Sequence, residues 1–208
     1  MNEAEEIVKF QNNMFRELSD DYVMGFVEGE GCFSVALRLY RDYVPRKTTK
    51  RLRREREAQI FQVKPSFRIT LADKDSFVLE KIKDKFGFGK IYEQKKSVKN
   101  PQRQDIRQYT VQNFGDLFKL VKFFEKQTFF TSKGTDFKLW CQALKLIKSG
   151  KYKTPKGIRK ICQLRDKMNR KKGKTHKRKT EEVERILENP PEYILGPFKQ
   201  ATEKQTYT

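Results

Sequence analysis

Val23-Met24-Gly25-Phe26-Val27-Glu28-Gly29-Glu30-Gly31 is the stretch that decides the fold, and Cys32-Phe33-Ser34-Val35-Ala36-Leu37 follows it at once. The first stretch predicts a short apolar helix that ends on an acidic turn bracketed by glycines. The second stretch predicts a strand that begins without a linker. Ser19 is placed to cap the helix by accepting a backbone N–H, with Asp20 and Asp21 at the positive end of the helix dipole.

Two glycines lie on one face of this predicted helix. Gly25 and Gly29 are four residues apart, which places them on the same side of the helix. A face without side chains lets another backbone approach closely. Glu30 falls where the helix ends, so we expect its carboxylate to project from the end of the helix. A carboxylate in that position is suited to holding a divalent metal over a substrate.

The charge balance favours a polyanionic partner. The 208 residues include 47 Lys and Arg against 27 Asp and Glu, which gives a formal net charge of +20. A field of this size and sign favours nucleic acid. The alternative is a basic surface that only aids solubility, but the cations occur in runs and on one face of the predicted strands. The length allows one domain with appendages.

The cysteines indicate a reducing compartment. Cys32, Cys141 and Cys162 are odd in number, widely spaced and each within an apolar pattern, which predicts buried free thiols. No apolar run approaches membrane length, no signal peptide is visible, and the acidic N-terminus argues against a transit peptide. We therefore expect an intracellular protein of the cytoplasm, nucleoid or organelle matrix, without a membrane partner. The single histidine, His176, excludes nuclease chemistries that need two or more histidines.

Alternation of apolar and polar residues predicts four strands. They lie at residues 33–40, 58–71, 90–92 and 107–112, and Pro65 in the second strand predicts a bulge or an edge. Helical periodicity predicts helices at residues 1–18, from Asp73 or Asp75 to Gly87, at 114–124, at 135–148, from Thr154-Pro155 onward and at 181–187. The order α-β-β-α-β-β-α predicts an α+β fold in which helices cover one face of a four-stranded antiparallel sheet.

The open face of this predicted sheet carries residues that read base edges and phosphates. A sheet that is merely wetted on one side usually has a face of mixed charge, whereas this set contains no carboxylate. The DNA-binding residues predicted on the strands are Ser34, Arg38, Tyr40, Gln62, Lys64, Ser66, Arg68, Lys90, Tyr92, Gln94, Gln108 and Thr110.

Two basic runs extend this predicted interface. Residues 44–57 form a connection that is too long and too basic for a structural hairpin. A flexible tip or a sorting signal are the alternatives to phosphate contact by Arg46, Lys47, Lys50, Arg51, Arg53 and Arg54. Residues 170–179 are the second run, either a solvated tail or a further phosphate contact. We divide the chain into an N-terminal extension (1–17), a main domain (18–170) and a basic C-terminal extension (171–208).

Residues 23–31 resemble the LAGLIDADG motif of homing endonucleases, with glutamates at Glu28 and Glu30 in place of the usual aspartates. The resemblance extends to residues 67–71, 87–92 and 137–161, and covers the span 18–170. It implies the αββαββα fold of that family, with a saddle-shaped four-stranded antiparallel sheet and extra C-terminal helices.

The resemblance also implies a site. One motif per chain implies a homodimer whose motif helices pack through Val23, Gly25, Phe26 and Gly29, on a long pseudo-palindromic double-stranded DNA target. Glu30, at the eighth motif position, is implied to bind magnesium, with Gly29 beside it, whereas Glu28 supports the helix end. Glu30 and Lys133 are the implied catalytic residues, and Lys126 matches the basic position less well. The family's glutamine at the end of the second strand is replaced by Leu71-Ala72, so the alignment slips by one residue or this solvent-ordering group is missing.

Three functions are compatible with these residues. The first is an intron-encoded, site-specific DNA endonuclease that hydrolyses phosphodiesters with a divalent metal. The second is an intron maturase on the same fold, with intron RNA as its partner. The third is a DNA-binding regulator that has lost catalysis. The acid at the eighth motif position favours cleavage over the third, and the sequence does not separate the first two.

Overall fold

The computed structural model describes residues 17–39, 61–95, 104–168 and 179–189. Most of the predicted helix at residues 1–18 and all of the loop at 44–57 lie outside these residues. The helices and strands are α1 (Asp20–Glu30), β1 (Gly31–Leu39), β2 (Phe61–Ala72), α2 (Phe77–Phe86), β3 (Lys90–Gln94), β4 (Ile106–Val111), α3 (Phe114–Phe124), α4 (Lys133–Lys148), α5 (Pro155–Lys167) and α6 (Thr180–Glu188). The predicted αββαββα order with further C-terminal helices is confirmed.

The four strands form one antiparallel sheet in the order β1-β2-β4-β3. β4 pairs with β2 on one side and with β3 on the other, so that Tyr109 lies opposite both Ile69 and Ile91. β2 is therefore an inner strand, but its pairing with β4 does not extend to Pro65, so the expected edge position of this proline is not contradicted on that side. The register with β4 begins at Phe67, so Pro65 precedes it and its missing N–H breaks none of the paired positions.

Contacts divide the chain into two compact units. Within the first, the described residues are 17–32, 67–95 and 104–131, and the fully buried side chains include Phe67, Leu79 and Tyr109. The Phe67 and Phe124 rings lie 5.5 Å apart, which joins β2 to α3. This unit contains α1, α2, α3, β3 and β4.

The second unit contains the described residues of 33–66 and of 132–189. Phe33 of β1 packs between two rings of α4, with centroids 5.4 Å from Phe137 and 5.2 Å from Trp140. α5 packs on α4, and α6 packs on α5. Arg159 of α5 donates to Glu184 of α6 at 2.7 Å, so the described part of the C-terminal extension belongs to this unit.

The junction between α1 and β1 has no linker. Gly31 directly follows the last helical residue, and its N–H donates to the carbonyl of Val27. The Gly31 backbone (φ −64°, ψ 145°) is one that any residue adopts. A Cβ at this position, however, would lie 2.5 Å from the Val27 carbonyl oxygen. Glycine is therefore required here for space and not for an unusual conformation.

The caps of the helices were predicted with one error. Ser19 caps α1 by accepting from the Tyr22 N–H, as predicted. α5 begins at Pro155, as predicted, and Thr154 caps it by accepting from the Gly157 N–H. The prediction that Asp73 or Asp75 caps α2 is wrong, because Asp73–Asp75 form a separate 3₁₀ turn. Ser76 occupies the position before α2, and its hydroxyl donates to the Asp73 carbonyl instead of accepting from the helix.

All three cysteines are free thiols, as predicted. Cys162 is buried, but Cys32 and Cys141 are only partly buried, because each lies at the margin of an apolar face. Among the described residues, no helix is long and apolar enough to cross a membrane.

Gly31→Ala tests the α1–β1 junction. We expect it to lower the free energy of unfolding by about 1–3 kcal/mol, the usual cost of overpacking, because the new methyl group overlaps the Val27 carbonyl. Gly29→Ala is the matched control, since a Cβ there meets nothing within 4 Å and alanine favours helix. Urea unfolding in dilute protein measures both variants. Equal stability of the two would show that the junction has room for a side chain.

Candidate active site and nucleic-acid interface

Glu30 is the last residue of α1, and its side chain is exposed. The last carbonyl groups of an α-helix have no intrahelical donor, and the helix dipole is negative at that end. Both effects favour a cation beside this carboxylate. Within the described part of the chain, no cluster of three or more His, Cys, Asp or Glu residues is arranged to hold a metal. Glu30 is therefore a single carboxylate at the end of a helix and not part of a complete ligand set.

Glu28 has a different role, two residues earlier. Its Oε1 accepts from the backbone N–H of Phe130 at 2.7 Å and from that of Thr131 at 2.8 Å. One carboxylate oxygen thus holds two consecutive amides in the turn that precedes α4. Hydrogen bonds to a charged acceptor are stronger than neutral ones. This geometry agrees with the expectation that Glu28 supports the end of the motif helix.

The exposed face of α1 is flat and carries no cation. Gly25 and Gly29 are exposed, and a Cβ on either meets nothing within 4 Å. Tyr22 and Phe26 border these glycines, with rings stacked at 6.0 Å. Val23 was predicted on this face, but it is fully buried in the core of its own unit because it lies on the opposite side of the helix.

Lys133 is the first residue of α4 and is 5% exposed. The basic residue that the motif resemblance implies is therefore a buried lysine, while Lys126, the poorer match, is exposed. Lys133 belongs to the second unit, and Glu30 belongs to the first.

In the first unit, the outer face of the sheet is ordered in cross-strand rows. Arg68 lies opposite Thr110, which lies opposite Lys90. In the next row, Gln108 Nε2 donates to Thr70 Oγ1 at 2.7 Å. Thr110 Oγ1 donates to Gln108 Oε1 at 3.2 Å, which joins the two rows. The rows thus contain charged side chains, Arg68 and Lys90, beside polar side chains that hold one another through hydrogen bonds.

In the second unit, the outer side of β1 and β2 carries two neighbouring cations. Burial lowers the pKa of Lys64, and the nearby positive charge of Arg38 lowers it further. Ser34 and Ser66 share a hydrogen bond of 2.9 Å on the same side. The repulsion between Arg38 and Lys64 disfavours the free state and is relieved by an anion.

The predicted DNA contacts fall into three groups. Ser66 and Thr110 are 6% and 4% exposed, so they do not present freely accessible atoms, and their hydroxyls bond to Ser34 and Gln108. A second group of predicted contacts lies outside the described residues, namely Tyr40, Arg46, Lys47, Lys50, Arg51, Arg53 and Arg54. The remaining predicted contacts are partly or fully exposed, and they are Ser34, Arg38, Gln62, Lys64, Arg68, Lys90, Tyr92, Gln94 and Gln108.

Two exposed aromatic residues were missed by the sequence reasoning. Tyr22 is 50% exposed at the start of the glycine face. Phe130 is 86% exposed in the turn that Glu28 holds. The Tyr22-x-x-Gly25-Phe26-x-x-Gly29 spacing was a usable signal for the first. No local signal identified Phe130, because its partner Glu28 is 102 positions away.

A family model described as LAGLIDADG endonuclease matches residues 23–144. A protein of Podospora anserina, described as an uncharacterized 50.9 kDa protein in ND4 intron 1, is 30% identical over 135 residues, which cover 64% of this chain and 25% of that protein. A probable intron-encoded endonuclease 3 of Neurospora crassa is 26% identical over 146 residues, which cover 70% and 24%. The chain thus spans about a quarter of the length of these curated relatives.

Solved structures give the same result. The homing endonuclease I-TnaI matches with a TM-score of 0.62 and 30% identity, over 83% of this chain and 98% of that one. I-SmaMI bound to an uncleaved DNA target with calcium ions matches with a TM-score of 0.61 and 26% identity, over 88% and 57%. Its complex with cleaved DNA also matches with a TM-score of 0.61 and 26% identity, over 84% and 50%. With the motif on α1 and the αββαββα order in place, the chain belongs to the LAGLIDADG endonuclease family.

Proposed function

We propose that this chain is an intron-encoded, site-specific DNA endonuclease that acts as a homodimer and hydrolyses phosphodiesters with a divalent metal. The observation that carries the proposal is the Glu30 carboxylate, exposed at the end of a helix whose adjacent face has no side chains at Gly25 and Gly29. A second helix can approach this face closely. Two such helices bring two carboxylates together, which a single chain does not supply.

The donor chemistry at the end of α1 fits a hard cation. A carboxylate and helix-terminal carbonyl groups are oxygen ligands of the kind that magnesium prefers. When bound, the metal supplies activation of water and stabilisation of the leaving oxygen. Glu30 would hold it, with the Gly29 carbonyl beside it. Glu28 is already engaged by two amides and orients the neighbouring turn, so it is not assigned as a ligand.

The charge of α1 bears on which carboxylate holds the metal. The helix carries Asp20, Asp21, Glu28 and Glu30 and no lysine or arginine, in a chain whose net charge is +20. Carboxylates repel DNA phosphates, so a phosphate approaches the end of this helix only when a cation neutralises the charge there. Lys85 neutralises Asp20 at 2.7 Å, and two N–H groups satisfy Glu28. Of the two other carboxylates, Asp21 lies at the start of the helix and Glu30 at its end, so Glu30 is the one that we propose as the metal ligand.

The outer side of the sheet is the proposed DNA-binding surface. The cations Arg38, Lys64, Arg68 and Lys90 attract phosphates, whereas the amide of Gln108 is of the kind that reads adenine in the major groove. The hydrogen bonds that hold Gln108 to Thr70 and Thr110 fix its orientation before binding. Lys133 remains the proposed basic residue of catalysis, as a buried lysine at the start of α4.

The descriptions of related proteins support this proposal. One curated relative is described as a probable intron-encoded endonuclease, which supports an intron origin for this chain. Structures of I-SmaMI contain uncleaved and cleaved DNA, which supports duplex DNA as the partner. A homodimer with two identical motif helices would read a pseudo-palindromic target.

Glu30→Gln tests catalysis. We expect cleavage of a randomised double-stranded DNA library to be lost, with binding of the recovered site within about threefold of wild type, because only the metal ligand changes. A matched reaction without divalent metal should give the same loss. Cleavage by Glu30→Gln at the wild-type rate, or loss of binding together with cleavage, would falsify the assignment of Glu30 as a metal ligand.

Glu28→Gln and Glu28→Ala test the positioning role of Glu28. The glutamine amide oxygen can still accept from the two N–H groups, whereas alanine removes the acceptor. We expect Glu28→Ala to speed amide hydrogen exchange at Phe130 and Thr131, and Glu28→Gln to preserve most of the protection. The same order is expected for the cleavage rate at saturating DNA. If both variants abolished cleavage while leaving exchange unchanged, Glu28 would act as a ligand instead.

Gly25→Leu tests the subunit interface. The free chain has space at this position, so we expect the variant to fold with unchanged stability. It should shift the dimer to monomer in sedimentation velocity and reduce double-strand cleavage, because the side chain separates the two helices. Lys122→Leu, at an exposed position of α3, is the control for added apolar surface. An unchanged dimer would place the interface elsewhere.

A further inference from the structure

Phe130 is an exposed aromatic residue in a turn whose backbone is held in place. Its side chain is 86% exposed, more than any other large hydrophobic side chain that the structure describes. Its N–H and that of Thr131 donate to Glu28 at 2.7 and 2.8 Å. The preceding Phe129 ring lies 6.1 Å from the ring of Phe124, which is buried in α3. The turn is thus anchored on its inner side and presents the Phe130 ring to solvent.

The turn around Phe130 carries no charge. Residues 127–132 include no lysine, arginine, aspartate or glutamate. Glu125 and Lys126, which precede the turn, are opposite in charge, and Lys133, which follows it, is buried. An apolar ring gains free energy when it leaves water, and a turn without cations does not attract phosphates. The chemistry of this turn therefore fits an apolar protein surface better than a nucleic-acid backbone.

The turn lies beside the glycine face of α1. At about 100° per residue, Phe26 lies about 80° to one side of the line midway between the two glycines, and Glu28 lies about 80° to the other side. Tyr22 lies on the side of Phe26, and the two rings stack at 6.0 Å. We call the side with Tyr22 and Phe26 the aromatic flank, and the side with Glu28 and the Phe130 turn the turn flank.

The pairing of two Glu30 carboxylates determines the relative direction of two α1 helices. Helices that run in opposite directions would hold these carboxylates at opposite ends of α1. The proposed dimer therefore has helices that run in the same direction, with the two-fold axis along them and between them. Half a turn about this axis places the aromatic flank of one subunit beside the turn flank of its partner.

We propose that Phe130 packs against Phe26 of the partner subunit, so that two symmetric aromatic contacts border the paired glycine faces. The occupant of this surface is a second copy of the chain. Phe26 lies two residues before Glu28, about 3 Å along the helix axis, and so at nearly the height of the turn. Aromatic side chains are enriched in protein interfaces. The contact rests on the proposed function, because only a homodimer supplies the second helix.

Sedimentation velocity of the full-length chain without DNA tests this contact. Phe130→Ser is the test variant, because the ring is exposed and the two backbone N–H groups remain. Phe77→Ser is the matched control, at an aromatic residue of α2 that is 49% exposed. We expect Phe130→Ser to raise the dimer dissociation constant at least about tenfold, since each dimer buries two such rings. Phe77→Ser should leave it within about twofold of wild type. Thermal melting checks that both variants fold.

Cross-linking identifies what Phe130 meets. Phe26→Cys and Phe130→Cys are prepared as separate proteins, each with Cys32→Ser and Cys141→Ser to remove the two partly buried native thiols. After the two proteins are mixed and oxidised, we expect a disulfide-linked dimer on a non-reducing gel, because position 26 of one subunit meets position 130 of the other. Either protein alone should stay uncross-linked, since like positions do not meet in this dimer.

The outcomes separate this contact from the homodimer itself. A dimer that Gly25→Leu weakens and Phe130→Ser leaves unchanged, with no cross-link between the cysteine variants, would overturn the contact alone. So would a Phe130→Ser variant that dimerises normally and binds duplex DNA more weakly, because the ring would then belong to the DNA interface. A wild-type chain that sediments as a monomer would overturn both the contact and the proposed homodimer.

Discussion

The close contact between Gly31 and the Val27 carbonyl is the constraint on which the candidate site depends. Because residue 31 has no Cβ, α1 passes into β1 within a single residue. The Glu30 carboxylate is therefore fixed at the point where helix and sheet meet. A linker of even a few residues would leave this carboxylate on a mobile loop. The absence of a side chain at Gly31 thus allows the tight junction. The junction in turn sets the position of the preceding residue, Glu30.

Acidic and basic side chains are concentrated on different elements of the fold. α1 carries four carboxylates and no cation, although the whole chain has a net charge of +20. The outer side of the sheet and the outer side of α5 carry the cations. In the proposed function, the cations of the sheet attract phosphates directly, whereas the acidic end of α1 needs a metal ion before a phosphate can approach it. This separation makes the basic composition informative, since the same charges distributed evenly would serve only solubility.

The sequence predicted the regular elements well and the details of the site less well. α3 was predicted at residues 114–124, where the structure has it, because its apolar spacing is strong and Asn113 caps it. Val23 was wrongly assigned to the exposed face of α1. Gly25 and Gly29 indicated the direction of that face, but the sequence did not indicate how wide it is. Ser66 and Thr110 are almost fully buried, which alternation along one strand does not reveal. The Glu28 contact joins residues 102 positions apart, and no local pattern encodes it.

The free chain retains electrostatic repulsion that a ligand would remove. Burial and the charge of Arg38 lower the pKa of Lys64, so the folded state binds this proton less tightly than the unfolded chain does. The cost to stability is fully present below the lowered pKa and disappears as the pH rises toward the ordinary lysine value. Like charges also lie four residues apart on α5, at Lys156 and Lys160, and such a spacing disfavours a helix. A protein selected only for stability would replace one member of each pair. If the chain binds nucleic acid as proposed, phosphates beside Arg38 and Lys64 turn their repulsion into attraction, so the cost to the free chain becomes part of the binding affinity.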